Sequence, residues 1–417
     1  MKGLRSMQQE SVNENNARAL SEEYIRTIPV YPGHFEGRGI VICAGGPRYF
    51  PSAWICINVL RQVGCILPIQ LWHLGPSEID EHMKELVRPL GVECVDAFEV
   101  RKIFPARILN GWEVKPYAVI HCPYREVLLL DADNMPAVNP DFLFDTLQYE
   151  EHGALFWPDL GRLAPQRMIW DLCGVAYQDE PEIESGQAVI DKQRCWEALA
   201  LTMYYNEHSD FYYRHIHGDK ETFHMAFRKL EKSYAIPQRG TDRTRNLLFQ
   251  HDFNGDPLFQ HQYKWKLSDA NQPVQGLLFA EQCHSYIQQL RNLWNGRIGL
   301  PNRSGQEQKS VAERQAEEHL TGTEFLYHRV GFDSRPMTFL PNYFIGHGAD
   351  QCEVLWSVYE HRGDVVLQIR SDTALTCELR RNLDGIWKGS WKVFERMEVE
   401  LLPCSPLAPT EEATGTG

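Results

Sequence analysis

The sequence predicts an α/β protein, in which a mostly parallel sheet flanked by helices is followed by a small antiparallel β module. Three observations carry this. Between residues 38 and 96, short apolar runs alternate with stretches of helical spacing, the pattern of strand–helix–strand repetition. Val127-Leu128-Leu129-Leu130 is an unbroken aliphatic run that stops at Asp131-Ala132-Asp133-Asn134-Met135-Pro136, which reads as a strand covered on both faces and ended by a turn. Beyond about residue 330, strand-like runs come at short spacing, separated by turns such as His361-Arg362-Gly363-Asp364 and Leu383-Asp384-Gly385.

The elements follow in order. Residues 1–35 read as a flexible arm. Gly39 to Gly46 is a strand feeding a glycine corner, with Arg48 and Tyr49 just beyond; no Gly-Lys-Ser/Thr follows, so it is not a Walker loop. Ala53 to Gly64 has helical spacing, Leu67 to His73 is a strand, Ser77 to Pro89 is a helix capped by Ser77, and Val92 to Asp96 is a strand. Lys115 stands at the start of the helix that precedes the acidic strand. Asn139 to Asp145 is a short helix and Gly153 to Trp157 a strand. Glu184 and Gln187 precede an apolar strand, and a helix runs from Gln193 to about Glu207. Gly218 breaks the chain so that Asp219 can cap a helix carrying Phe223 and Phe227 on one face. Two β-rich runs around Asn254-Gly255-Asp256 form a hairpin whose second arm delivers His261, with Lys264 and Trp265 close behind. Residues 271–328 read as a helical connector, with helices from Ala280 to Trp294 and Val311 to Leu320. Residues 329–402 form the β module, with strands expected at Phe339–Phe344, Glu353–Tyr359, Val365–Ile369, Thr376–Leu379 and Trp391–Leu401. Residues 403–417 read as a disordered tail.

Composition narrows the function. The chain has 417 residues and a net charge of −14, which argues against general nucleic-acid binding and against docking on anionic lipid. No stretch is apolar enough to span a membrane, and Met1 to Glu23 lacks the apolar core of a signal peptide. The eleven cysteines include no Cys-x-x-Cys pair, so they read as reduced, buried side chains in a cytoplasmic protein.

Asp131 and Asp133, two residues apart at a strand's carboxyl end, are the chemical centre of this reading. Open α/β sheets bind ligands outside the carboxyl ends of their strands. Paired carboxylates there suit Mg²⁺ or Mn²⁺, which take few protein oxygens together with substrate phosphates. A histidine can complete such a site, and a lysine is a natural point-charge partner for diphosphate. An acidic turn that only caps the next element is the plainer alternative.

Taken together, these segments resemble the α-mannosyltransferase family best known from the fungal Golgi (glycosyltransferase family 71) and, more distantly, the glycogenin and galactosyltransferase group of GT-A fold enzymes. The matching pieces are Leu60-Arg61 through Trp72, Gly111-Trp112-Glu113-Val114-Lys115-Pro116, Val127 through Asn134, Glu184-Ser185-Gly186-Gln187, Gly218-Asp219-Lys220-Glu221, and Gln250-His251-Asp252 through His261 and Lys264-Trp265. They cover roughly residues 38 to 266, within a GT-A domain expected at 36–270. The resemblance implies a retaining transferase with a nucleotide-sugar donor (GDP-mannose or a UDP-hexose) and a glycan or small hydroxyl acceptor. It implies that Asp131, Asp133 and His261 hold a divalent cation and that Lys264 contacts the diphosphate. Arg48, Lys115, Gly45 and Gly46 are further donor-site candidates, and Asp219, Glu221, Gln187 and Glu184 are the catalytic ones. Golgi members carry an N-terminal anchor that is not evident here, and the β module lies outside the family pattern. Two other readings remain open from sequence: a sugar nucleotidyltransferase, and a non-enzymatic carbohydrate-binding protein using Trp356, Trp387 and Trp391.

Overall fold

The computed structural model describes residues 11–244, 247–262, 276–294, 310–331, 333–340, 343–349, 352–361, 363–371, 375–382, 384–391 and 397–406. The chain divides into two compact units, Met1–Gly299 and Leu300–Gly417.

The first unit is built on a six-stranded sheet of β1 (Arg38–Cys43), β2 (Ile69–His73), β3 (Val92–Asp96), β4 (Glu126–Asp131), β6 (Ala154–Arg162) and β7 (Pro181–Asp191) in the order β3-β2-β1-β4-β7-β6. The first four are parallel, while β7 runs antiparallel to both β4 and β6. A second sheet joins β5 (Asn134–Pro136), β8 (Asp242–Arg243), β9 (Leu247–His251) and β10 (Pro257–Gln262) in the order β5-β10-β9-β8. The aliphatic run of β4 is buried on both faces, as its composition requires. Leu128 and Leu130 face one core with Ile40 and Ile42, beneath α2 (Gly46–Gln62). Val127 and Leu129 face a second core with Val41, beneath α5 (Val114–His121) and α8 (Lys192–Glu207).

The other helices of this unit are α1 (Ala17–Ile25), α3 (Glu81–Val87), α4 (Ala97–Arg101), α6 (Leu147–His152), α7 (Ile169–Cys173), α9 (Ser209–Tyr212), α10 (Lys220–Lys229) and α11 (Ala280–Leu293). Several expectations are corrected here. The segment before residue 35 is not merely a loose arm, because α1 buries Ala17 in a cluster with residues of α7 and α8. Helix α2 begins at Gly46, seven residues before the expected start, and α3 is capped by Asp80, which accepts from the Met83 N–H at 2.8 Å, not by Ser77.

The second unit is a seven-stranded antiparallel sheet of β11 (Thr323–Arg329), β12 (Asp333–Met337), β13 (Leu355–His361), β14 (Asp364–Arg370), β15 (Leu375–Arg381), β16 (Trp387–Trp391) and β17 (Glu398–Pro406), ordered β12-β11-β17-β16-β15-β14-β13. Helix α12 (Val311–Thr321), started by a Ser310–Glu313 capping box, seats Ala316 and Leu320 in its core. The expected connector is therefore two helices of different units. Strand β17 runs to Pro406 because it pairs with β11, so residues 403–406 are sheet and not tail. Of the strand expected at Phe339–Phe344, the described residues Phe339 and Phe344 form isolated bridges to Ile345 and Leu355. Trp356, Trp387 and Trp391 are buried in the core, which removes them as an exposed sugar-binding surface. Among the described residues no helix is long and apolar enough to cross a membrane.

Candidate functional site

The parallel register sets Cys43 of β1 beside Asp131 of β4, so the glycine corner and the acidic pair share one edge of the sheet. The chain leaves the first sheet at Asp131 and enters the second at Asn134, with only Ala132 and Asp133 between. There β5 pairs with β10 and places Asn134 opposite His261. That pairing brings the histidine to the acidic turn from a distant part of the sequence. Donor atoms of Asp131, Asp133 and His261 lie within 4.8 Å of one another, and His261 Nε2 is 3.3 Å from Asp133 Oδ1.

The approach is tight. A methyl group added to Gly186 would lie 2.9 Å from both Cε1 and Nδ1 of the His261 ring, closer than packed side chains tolerate. Asn134 Nδ2 donates to the Gly186 carbonyl at 3.0 Å and to Gln187 Oε1, tying the turn to β7. Three atoms around this knot, Asn134 Oδ1, Gln187 Nε2 and His261 Nδ1, are buried and find no hydrogen-bond partner among the described residues.

Lys115, in the first turn of α5, connects the metal-site candidates to the catalytic ones. Its ammonium is 2.7 Å from Asp131 Oδ1, 3.4 Å from both the carbonyl and hydroxyl of Ser185, and 3.6 Å from Asp219 Oδ2. Burial alone would push this lysine down, but Asp131 and Asp219 hold it well above the usual lysine range. Asp219 is pushed up to about 6, chiefly by burial, with Lys115 pulling the other way. It occupies the residue before α10 but makes no capping bond, so the expected cap is absent and the carboxylate faces Lys115.

The other candidates separate. Glu184 turns back to accept from the Gly186 N–H at 2.9 Å. Glu221 is buried against Lys220 at 3.4 Å, and burial pushes it up to about 8 against the pull of that lysine. Lys220 also pairs with Asp159 at 2.5 Å and Glu182 at 2.8 Å. Gly45 is required by a close approach, since an added methyl would lie 2.5 Å from Glu78 Cβ, and Gly46 adopts φ +65° with its N–H donating to Glu78 O at 2.7 Å. The Arg48 side chain and all of Lys264 lie outside the described residues.

Sequence reasoning gave no role to Asn134, Ser185, Lys220 or Trp112. All four lie inside the motifs quoted above; for the first three a polar residue beside a candidate was the available signal, and for Trp112 its exposure in the structure sets it apart.

Two carboxylates and an imidazole form a hard oxygen and nitrogen donor set that fits Mg²⁺ or Mn²⁺. The Cys43 thiol, beside Asp131 in the β1–β4 register, is pushed up by burial.

Comparison with known proteins finds a family match within the first unit. Residues 37–169 and 171–247 match the family described as "Mannosyltransferase putative". Curated relatives include alpha-1,2-mannosyltransferase MNN2 of Saccharomyces cerevisiae, 24% identical over 290 residues, or 58% of this chain and 48% of the relative. Alpha-1,2-mannosyltransferase MNN24 of Candida albicans is 27% identical over 240 residues, or 48% of this chain and 34% of the relative. The chain thus spans about half or less of the length of these two relatives. Among solved structures, the galactosyltransferase LgtC with donor and acceptor sugar analogs aligns over 61% of this chain and 100% of that one, at 14% identity and a TM-score of 0.42. With the matched segments covering half of its length, the chain belongs to this mannosyltransferase family.

Proposed function

We propose that the chain transfers a mannosyl residue from GDP-mannose to a hydroxyl of a mannose-containing acceptor, with retention of anomeric configuration and with the help of a divalent cation. The observation that carries this is the convergence of Asp131, Asp133 and His261 from two sheets onto one edge, in a chain of this family. Those three residues would hold Mn²⁺ or Mg²⁺, whose positive charge offsets the charge that develops on a departing diphosphate. Lys115 fixes the Asp131 carboxylate from behind and at the same time orients Asp219. Asp219 is the best placed carboxylate to face the positive charge that builds on the sugar, because it lies in the same buried chain of charges. Gln187 and Asn134 hold the turn at its distance from β7. Glu184 and Glu221 support the backbone and Lys220 in this scheme.

The test is incubation with GDP-mannose, Mn²⁺ and methyl α-mannoside, read by product analysis and by the anomeric proton signal. Released GDP and an α-linked disaccharide are expected. Conversion of GDP-mannose and added pyrophosphate into GTP and mannose 1-phosphate would favour a nucleotidyltransferase, and binding of sugar without turnover would favour a carbohydrate-binding role; either outcome overturns the proposal.

A further inference from the structure

Trp112, three residues before Lys115, is 48% exposed. It is nonetheless fixed from two sides. Its backbone lies in the turn that leads into α5, with its carbonyl accepting the N–H of Lys115, the residue whose ammonium holds Asp131 and Asp219, at 3.0 Å. The ring is also pressed against Gly218, the residue before Asp219; a methyl group added there would lie 2.7 Å from Cε3. Gly218 has φ +73°, a conformation that favours glycine, so both the turn and the close approach select that residue. Tyr213 and His217 flank the indole, with ring centroids at 6.1 Å and 5.9 Å.

A large aromatic left half open forgoes the burial energy its surface could supply, on the order of 1.5–3 kcal/mol for a full side chain. Here the ring is held rigidly, so covering the open surface costs little conformational entropy. A pyranose presents C–H groups on its faces and hydroxyls around its edge, which matches an apolar plate beside a polar crevice.

We propose that Trp112 is the platform on which the acceptor sugar, a hexopyranoside, stacks its C–H face while a hydroxyl is directed toward the Lys115–Asp219 side of the crevice. This rests on the glycosyl-transfer reading above and adds to it where the acceptor is held.

The experiment measures KM separately for GDP-mannose and for methyl α-mannoside or α-mannobiose, with Mn²⁺, in the parent chain, Trp112→Ala and Trp112→Phe. Trp112→Ala should raise the acceptor KM about tenfold and Trp112→Phe about threefold, with the GDP-mannose KM moving by less than about twofold. If Trp112→Ala does not fold, the graded rise in Trp112→Phe decides. An unchanged acceptor KM, or an equal rise in both KM values, overturns the platform while leaving the transferase reading intact. A parent chain that transfers to no mannoside overturns both.

Discussion

Gly186 shows how a single residue can set the geometry of the site, since His261 occupies the space a side chain would need. Gly186→Ala should displace the imidazole and raise the Mn²⁺ concentration for half-maximal turnover about tenfold, at a stability cost of roughly 1–3 kcal/mol from overpacking. Mn²⁺ activation curves and thermal unfolding check the two halves of that statement. Asp131→Asn and Asp133→Asn should each abolish Mn²⁺-dependent transfer with the fold retained, and near-normal turnover in both would remove the cation assignment. Lys115→Met leaves two carboxylates in the interior without their cation and should cost about 3–5 kcal/mol, part of which the added Asp219→Asn change restores. Denaturant unfolding of the single and double variants measures it. At this scale the acidic pair at a strand end offered a signal, whereas His261 was joined to it only through the family resemblance; the structure brings the three within 4.8 Å of one another. Lys115 was expected to reach toward the donor. Its actual setting between two carboxylates depends on how α5 packs across β4 and on where Asp219 lands, and neither is written in local spacing.

At the scale of elements, β4, the β9–β10 hairpin and α8 follow from apolar runs and a turn signal, so they were legible. The start of α2 was not, because Gly46, Pro47 and Pro51 are poor helix formers and the surrounding core overrides their propensity. Nor was the Lys220 cluster, which assembles residues of β6, β7 and α10. That cluster has a pH consequence. Burial raises Glu221 to about 8 from its ordinary 4.5, so between these values the folded protein holds a proton that the unfolded chain has released. Its contribution to stability is present at low pH and is lost as pH rises toward 8. Glu221→Gln removes this slope, so the variant should gain roughly 3–4 kcal/mol relative to the parent between about pH 5 and about pH 8. Parallel urea titrations at the two pH values provide the measurement, and identical pH slopes for the two proteins would refute it.

For the whole molecule, the division at residues 299 and 300 separates every described site residue from the antiparallel sheet. A chain ending at residue 299 should therefore fold and bind GDP with Mn²⁺ as the full chain does, within about twofold in Kd by calorimetry. Failure of that shorter chain to bind, while folded, would place part of the site in the second unit. The existence of a separate β module was legible from its turn spacing. Strands β11 and β12 were missed because charged residues stand among their inward or flanking positions, such as the buried Arg329 paired with Asp333.

The two-residue step from β4 to β5 carries the chain from one sheet to the other, so Asp131 and His261 belong to different hydrogen-bonded networks, with Asp133 in the step between them. A cation seated among them would clamp those networks as a crosslink does, removing local openings in which β10 peels away from the turn. Amide hydrogen exchange in the β9–β10 hairpin should then slow selectively when Mn²⁺ is added, while the β2–β3 edge of the larger sheet keeps its rates. The same ion would thus act as a local rivet whose effect can be read with no sugar present.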